Sequence, residues 1–173
     1  LTLTASEPTS SAVPNSDLTA TAYHEAGHAV MAVLLGRQVL KVSIAPGQMG
    51  FGVRLGACEI RKGAGKGSKD WIEEEVLILL AGMVAQAQWV GEHCRQGAAQ
   101  DLQGVRRLLS HSRAATERQL ERLEQRMLDK TEYLLGDEAA AQAVAWVAAD
   151  LLQKTSISGR AVRHWLEQAQ RSS

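Results

Sequence analysis

Thr21-Ala22-Tyr23-His24-Glu25-Ala26-Gly27-His28-Ala29-Val30 is the stretch on which the reading of this chain turns. An α-helix turns once in 3.6 residues, so histidines four apart, His24 and His28, present both imidazoles to one point beside the helix. Two imidazoles so placed can share a metal. Zinc accepts imidazole nitrogen at about 2.0–2.1 Å, and a catalytic zinc needs three protein ligands and one open position. Glu25 is offset around the helix, where its carboxylate can reach a water on the metal without binding the ion. The ion lowers the pKa of that water toward ~7, Glu25 accepts its proton, and the oxygen attacks a carbonyl polarised by the same ion. Peptide hydrolysis is the natural reaction class. Two histidines and a glutamate can fall at this spacing by accident. Small Ala26 and Gly27 between the histidines, inside a capped helical pattern, favour the metal reading.

The helix carrying this segment is predicted to start after Ser16 or Asp17, either of which can cap it, and to run through Leu35 until Gly36 ends it. Residues 1–16, rich in serine, threonine and proline without a basic head or apolar centre, read as a flexible tail rather than a secretory signal, which leaves 17–173 as one domain. Residues 38–45 and 51–60, separated by Pro46-Gly47, read as two short strands. After a glycine-lysine loop at 61–69, Asp70 and Glu73 make a capping box for a helix from Trp71 to about Val90. That helix is apolar nearly all round, which predicts burial at the centre of the core. A loop at 91–100 leads to a helix beginning near Leu102, a charged one at 114–135, an alanine-rich one at 137–153 and a last one after Ser158. The expected fold is mainly α (α+β): a metal-binding helix, a small β element, then a helical bundle.

Composition narrows the function classes. At 173 residues and 45% hydrophobic content the chain has material for one core, and 4% aromatics argue against a sandwich or barrel. Lys plus Arg equals Asp plus Glu at 19 each, so no global field attracts nucleic acid, and none is expected as a partner. The best apolar run, Val76 to Ala85, falls short of the roughly 18 residues of a membrane span, so no membrane segment is expected in these residues. Cys58 and Cys94 form no CxxC pair and no disulfide framework, which suits a cytoplasmic or other reducing, soluble compartment. The chain begins at Leu1 rather than methionine, which leaves an upstream anchor open. Leu120, Leu123 and Met127 form a helical stripe too short for a coiled coil; it reads as core packing, and an oligomer is left open.

The third ligand is not set by spacing. Leu34 stands six residues beyond His28, where the metzincin pattern would place a third histidine. Glu92, His93, Asp101 and His111 remain candidates, with Asp101 narrowly ahead and an N-cap for the helix at Leu102 as its alternative role.

Several segments, in order, resemble the peptidase domain of the FtsH family of membrane-bound, ATP-dependent zinc metalloproteases. TAYHEAGHAV at 21–30 is similar to the family's zinc-binding helix, and VLKVSIAP at 39–46 to the strand after it. LLAGMVAQAQWVG at 79–91 is similar to its buried helix, and GAAQDL at 97–102 to the turn bearing its aspartate ligand. The resemblance covers about residues 18–110. It implies a Zn2+ ion held by His24, His28 and Asp101, Glu25 as catalytic base, and a peptide or unfolded protein segment as substrate. Met83 and Gln86 stand where the family has arginine and glutamate, and Gly47 where it has arginine. RKGAGKGSKD at 61–70 lacks the Walker A spacing. The resemblance therefore implies a stand-alone, ATP-independent relative. Its rivals are a metal-stabilised binding or adaptor module and a zinc hydrolase of a non-peptide amide bond.

Overall fold

The computed structural model describes residues 15–49, 52–54, 56–61, 69–91, 98–112 and 116–173. Helix α1 spans Asn15–Leu34, three residues earlier at its start than capping by Asp17 would give. Its end follows from Gly36, whose positive φ of 73° lets the chain reverse. The Gly36 N–H donates to Val33 O at 3.0 Å and the Arg37 N–H to Ala32 O at 2.8 Å, which satisfies two carbonyls the helix end would leave open.

Four strands follow: β1 (Val39–Ser43), β2 (Gly47–Met49), β3 (Gly52–Arg54) and β4 (Ala57–Ile60). The single strand expected over 51–60 is two strands. β3 pairs with β2 in a hairpin, whereas β4 pairs antiparallel with β1, with Val42 opposite Cys58. The chain changes partners between them, near Gly56. A fifth strand, β5 (Ser156–Ser158), arrives from the far end of the chain and places Ile157 opposite Val42, giving the order β4-β1-β5. No periodicity in three residues could announce it.

Helix α2 (Lys69–Val90) is buried on two faces. Leu77, Ile78, Ala81, Val84 and Ala85 join a core with α1, β1, α5 (Glu138–Lys154) and α6 (Gly159–Ser172). Val76, Leu80 and Met83 join a second cluster with α3 (Ala99–Ser112) and α4 (Glu117–Leu135). Leu120 and Met127 are buried in that cluster with Leu123 packed against it, so the α4 stripe is core packing. The expected capping box at Asp70 and Glu73 gives way to a longer-range contact: α2 already begins at Lys69, and the Glu73 carboxylate pairs with Lys130 of α4. Arg37, just past α1, pairs with Glu74 at 3.5 Å and Glu75 at 2.7 Å near the start of α2. α1 and α2 cross closely at Gly27, where a side chain would run into the Ala81 carbonyl and the Ala85 Cβ. The molecule is mainly helical with a small sheet. Among the described residues, no helix is long and apolar enough to cross a membrane. Most of the expected N-terminal tail, residues 1–14, lies outside the described residues.

Candidate metal centre and active site

The close α1–α2 crossing sets the site. His24 and His28 stand on successive turns of α1, their rings edge to face with centroids 4.6 Å apart and their Nε2 atoms 3.0 Å apart. Asp101, 77 residues from His24 along the chain, brings Oδ2 to 3.0 Å from His24 Nε2 and 3.3 Å from His28 Nε2. It reaches this point because α3 packs on α2 through Val105 and Leu109. α3 begins at Ala99, so Asp101 lies within its first turn rather than at the N-cap position of its alternative role.

Two features of α2 shape the cluster. The His28 Nδ1–H donates to the Ile78 carbonyl at 2.7 Å, which fixes the ring and turns the Nε2 lone pair toward the other donors. One turn further along, Gly82 leaves the space the imidazoles occupy: a Cβ there would lie 2.6 Å from His28 Nε2 and 2.8 Å from His24 Cε1.

Charge is concentrated here. Burial disfavours the charged carboxylate of Asp101, but the hydrogen bonds of His24 and His28, and then their charge, outweigh it and hold that carboxyl well below the usual range. Burial likewise works against a charged His28. Its hydrogen bond to Asp101, the charges of Asp101 and Glu25 and the Ile78 carbonyl overcome that and raise its pKa.

Glu25 is outside the donor triangle. It is 6% exposed, and its carboxylate lies against Gly56 ahead of β4, where a Cβ would come within 2.6 Å of Oε1. His111 lies on the exposed part of α3, where its Nδ1 meets the Arg107 carbonyl at 2.6 Å, apart from the cluster. Glu92 and His93 lie outside the described residues. Among the described residues, His24, His28 and Asp101 are the one group of three such side chains gathered around a common point.

Sequence reasoning missed Ile78, Gly82 and Gly56. Gly82 carried a signal, since a glycine inside an apolar helix costs ~1 kcal/mol against alanine and asks for a packing reason. Ile78 carried none, because its contribution is a backbone carbonyl.

Residues 12–113 match the model of peptidase family M41. The chain belongs to peptidase family M41. As an M41 chain it carries a peptidase domain of the FtsH kind, with curated relatives in plants. It is 34% identical over 90 residues to an ATP-dependent zinc metalloprotease FTSH, chloroplastic, of Medicago sativa, covering 50% of this chain and 13% of the relative. It is 36% identical over 91 residues to the protein of the same name in Capsicum annuum, covering 50% and 14%. The ATP-dependent zinc metalloprotease FTSH 5, chloroplastic, of Arabidopsis thaliana gives 36% over 91 residues, with 50% and 13% covered. The matched region is thus a small part of those proteins.

The donor set of this M41 chain suits the metal its relatives are named for. Donors at about 2.0–2.1 Å from a tetrahedral zinc lie about 3.3–3.4 Å from one another. The three donor atoms here are separated by 3.0, 3.0 and 3.3 Å, with Gly82 leaving the space beside them. Two imidazole nitrogens and a carboxylate oxygen form a ligand set of borderline hardness that zinc accepts.

Proposed function

We propose that this chain is a zinc-dependent endopeptidase that cuts flexible protein segments without needing ATP, with residues 17–173 as the working unit. His24, His28 and Asp101 hold the ion, and Glu25 is the base. The observation that carries the reading is the meeting of Asp101 with both imidazoles while Glu25 stays outside the triangle, on the side of β4.

Zinc bound there supplies a Lewis acid that polarises the scissile carbonyl and acidifies water. The protein does the rest. Asp101 brings one negative charge to the set, which leaves the site cationic with the ion in place. Ile78 keeps the His28 proton on Nδ1, so that Nε2 is available as a donor. The Glu25 carboxylate takes the proton of the attacking water and delivers it to the departing amine nitrogen. Among the described residues β4 is an edge strand of its sheet, and the backbone at Gly56 meets Glu25 just before that strand begins. An extended peptide adding to this edge has its backbone carried past the base.

ATP independence rests on the absence of Walker A spacing in this sequence. The test is digestion of unfolded casein by wild type and by Glu25→Gln, with and without ATP and with a chelator. Zinc-dependent cleavage by wild type, insensitive to ATP and lost in Glu25→Gln, is expected. Full activity in Glu25→Gln would reject the base assignment, and stimulation by ATP would reject the nucleotide independence.

A further inference from the structure

We propose that Gly56 is a positioning residue for Glu25: the missing side chain at the entry to β4 sets where the carboxylate stands. This rests on the reading of Glu25 as the base. A Cβ at position 56 would lie 2.6 Å from Glu25 Oε1, 2.7 Å from Cγ and 2.9 Å from Cδ, and these are the three nearest atoms it would meet. Ordinary contact needs about 3.5 Å, so the carboxylate would have to retreat by roughly 1 Å.

What gives way can be named. Glu25 is on α1, whose backbone is fixed by the crossing at Gly27. Residue 56 is followed at once by β4, which is paired with β1 from Ala57 to Ile60. Neither backbone yields easily, whereas the Glu25 side chain has rotatable bonds. An added methyl therefore relocates the base and leaves the fold and the donor triangle in place. The consequence is specific to turnover. A base displaced by about 1 Å costs on the order of 10²-fold in rate, because proton transfer depends steeply on geometry. Substrate binding along the β4 edge uses backbone groups and changes little.

The test is a set of four proteins: wild type, Gly56→Ala, Glu25→Ala and the double variant, assayed on a flexible fluorogenic peptide and for zinc affinity and Tm. Gly56→Ala is expected to keep stoichiometric zinc and its Tm, to lose about 10²-fold in kcat and to keep KM within about 3-fold. Glu25→Ala has lost the base and is inactive on its own. It also lacks the Cγ, Cδ and Oε1 atoms that the methyl would meet, so adding Gly56→Ala to Glu25→Ala is expected to leave zinc affinity and Tm unchanged. A crystal structure of metal-free Gly56→Ala gives a readout free of activity, and the Glu25 carboxylate should be displaced by roughly 1 Å with α1 and β4 unmoved.

Wild-type kcat in Gly56→Ala overturns the proposal. So does loss of zinc or folding that Glu25→Ala fails to repair, because the methyl would then be meeting something other than the base. If wild type cleaves nothing, or Glu25→Gln cleaves as well as wild type, the function assigned to Glu25 fails instead. The crystal structure then still decides whether Gly56 positions the side chain.

Discussion

At the residue scale, Asp101 and Gly82 offer the most direct tests of the metal centre. Asp101 lies in the first turn of α3, where any carboxylate is favoured by the helix dipole, so a structural role has to be separated from a ligand role. Asp101→Asn keeps the shape and removes the charge; Asp101→Ala removes both. If Asp101 is a ligand, both variants lose zinc affinity by at least about 10-fold in competition with a chromogenic chelator while staying folded. Wild-type affinity in Asp101→Asn would send the assignment back to Glu92 or His93. Gly82→Ala is expected to weaken zinc binding by a comparable factor, since the methyl meets both imidazoles and His28 is tethered to Ile78. A Gly82→Ala protein with unchanged zinc affinity would show that the rings can retreat. The histidine spacing was legible in the sequence because it is a property of one helix. Asp101 was selected by the resemblance, because no spacing rule links residues on α1 and α3.

At the scale of elements, α5 and α6 are tied by a buried carboxylate. Asp150 accepts a hydrogen bond from Trp165 Nε1 at 3.0 Å and pairs with Lys154 at 2.8 Å, and it is 6% exposed. Burial disfavours its charge, yet Lys154 and Trp165 outweigh that and hold its pKa below the ordinary carboxylate value. A group with a lowered folded-state pKa contributes stability that is present above its unfolded value, about 3.9, and is lost as pH falls through the folded value. Asp150→Asn should therefore be less stable than wild type by about 1–3 kcal/mol at pH 7, with the gap closing below about pH 4 in denaturant melts. A gap that stays constant down to pH 2 would mean the charge contributes nothing. Element types were readable from periodicity throughout the helices, and the glycine stop at Gly36 was readable too. The pairing of Glu73 with Lys130 and the strand at Ser156–Ser158 were not, because each depends on a partner far away in sequence.

For the whole molecule, α2 is the wall between two packed clusters, and the proposed metal centre joins elements from both. His24 and His28 come from the side of α1, β1, α5 and α6, and Asp101 from the side of α3 and α4. Zinc held at the proposed site would therefore stabilise both sides at once, by about 4 kcal/mol when free zinc is 1,000 times its Kd. Chelation should lower Tm by about 8–16 °C for a chain of this size. An unchanged Tm on chelation, with zinc shown to leave, would mean that the ion does not couple the clusters. Under the proposed ATP-independent reading, casein should be cut and a stably folded protein spared; equal digestion of both would contradict that. The sequence by itself determined the helical class, the burial of α2 and the two imidazoles with a glutamate beside them, since periods of 3.6 residues and apolar stripes are local properties. Only the tertiary structure decided that β4 borders β1, that Gly56 faces Glu25, that Gly82 leaves room for the rings and that Asp101 comes within 3.0 Å of His24. Those are meetings between elements, fixed by how side chains fill the space around α2, and no local pattern encodes them.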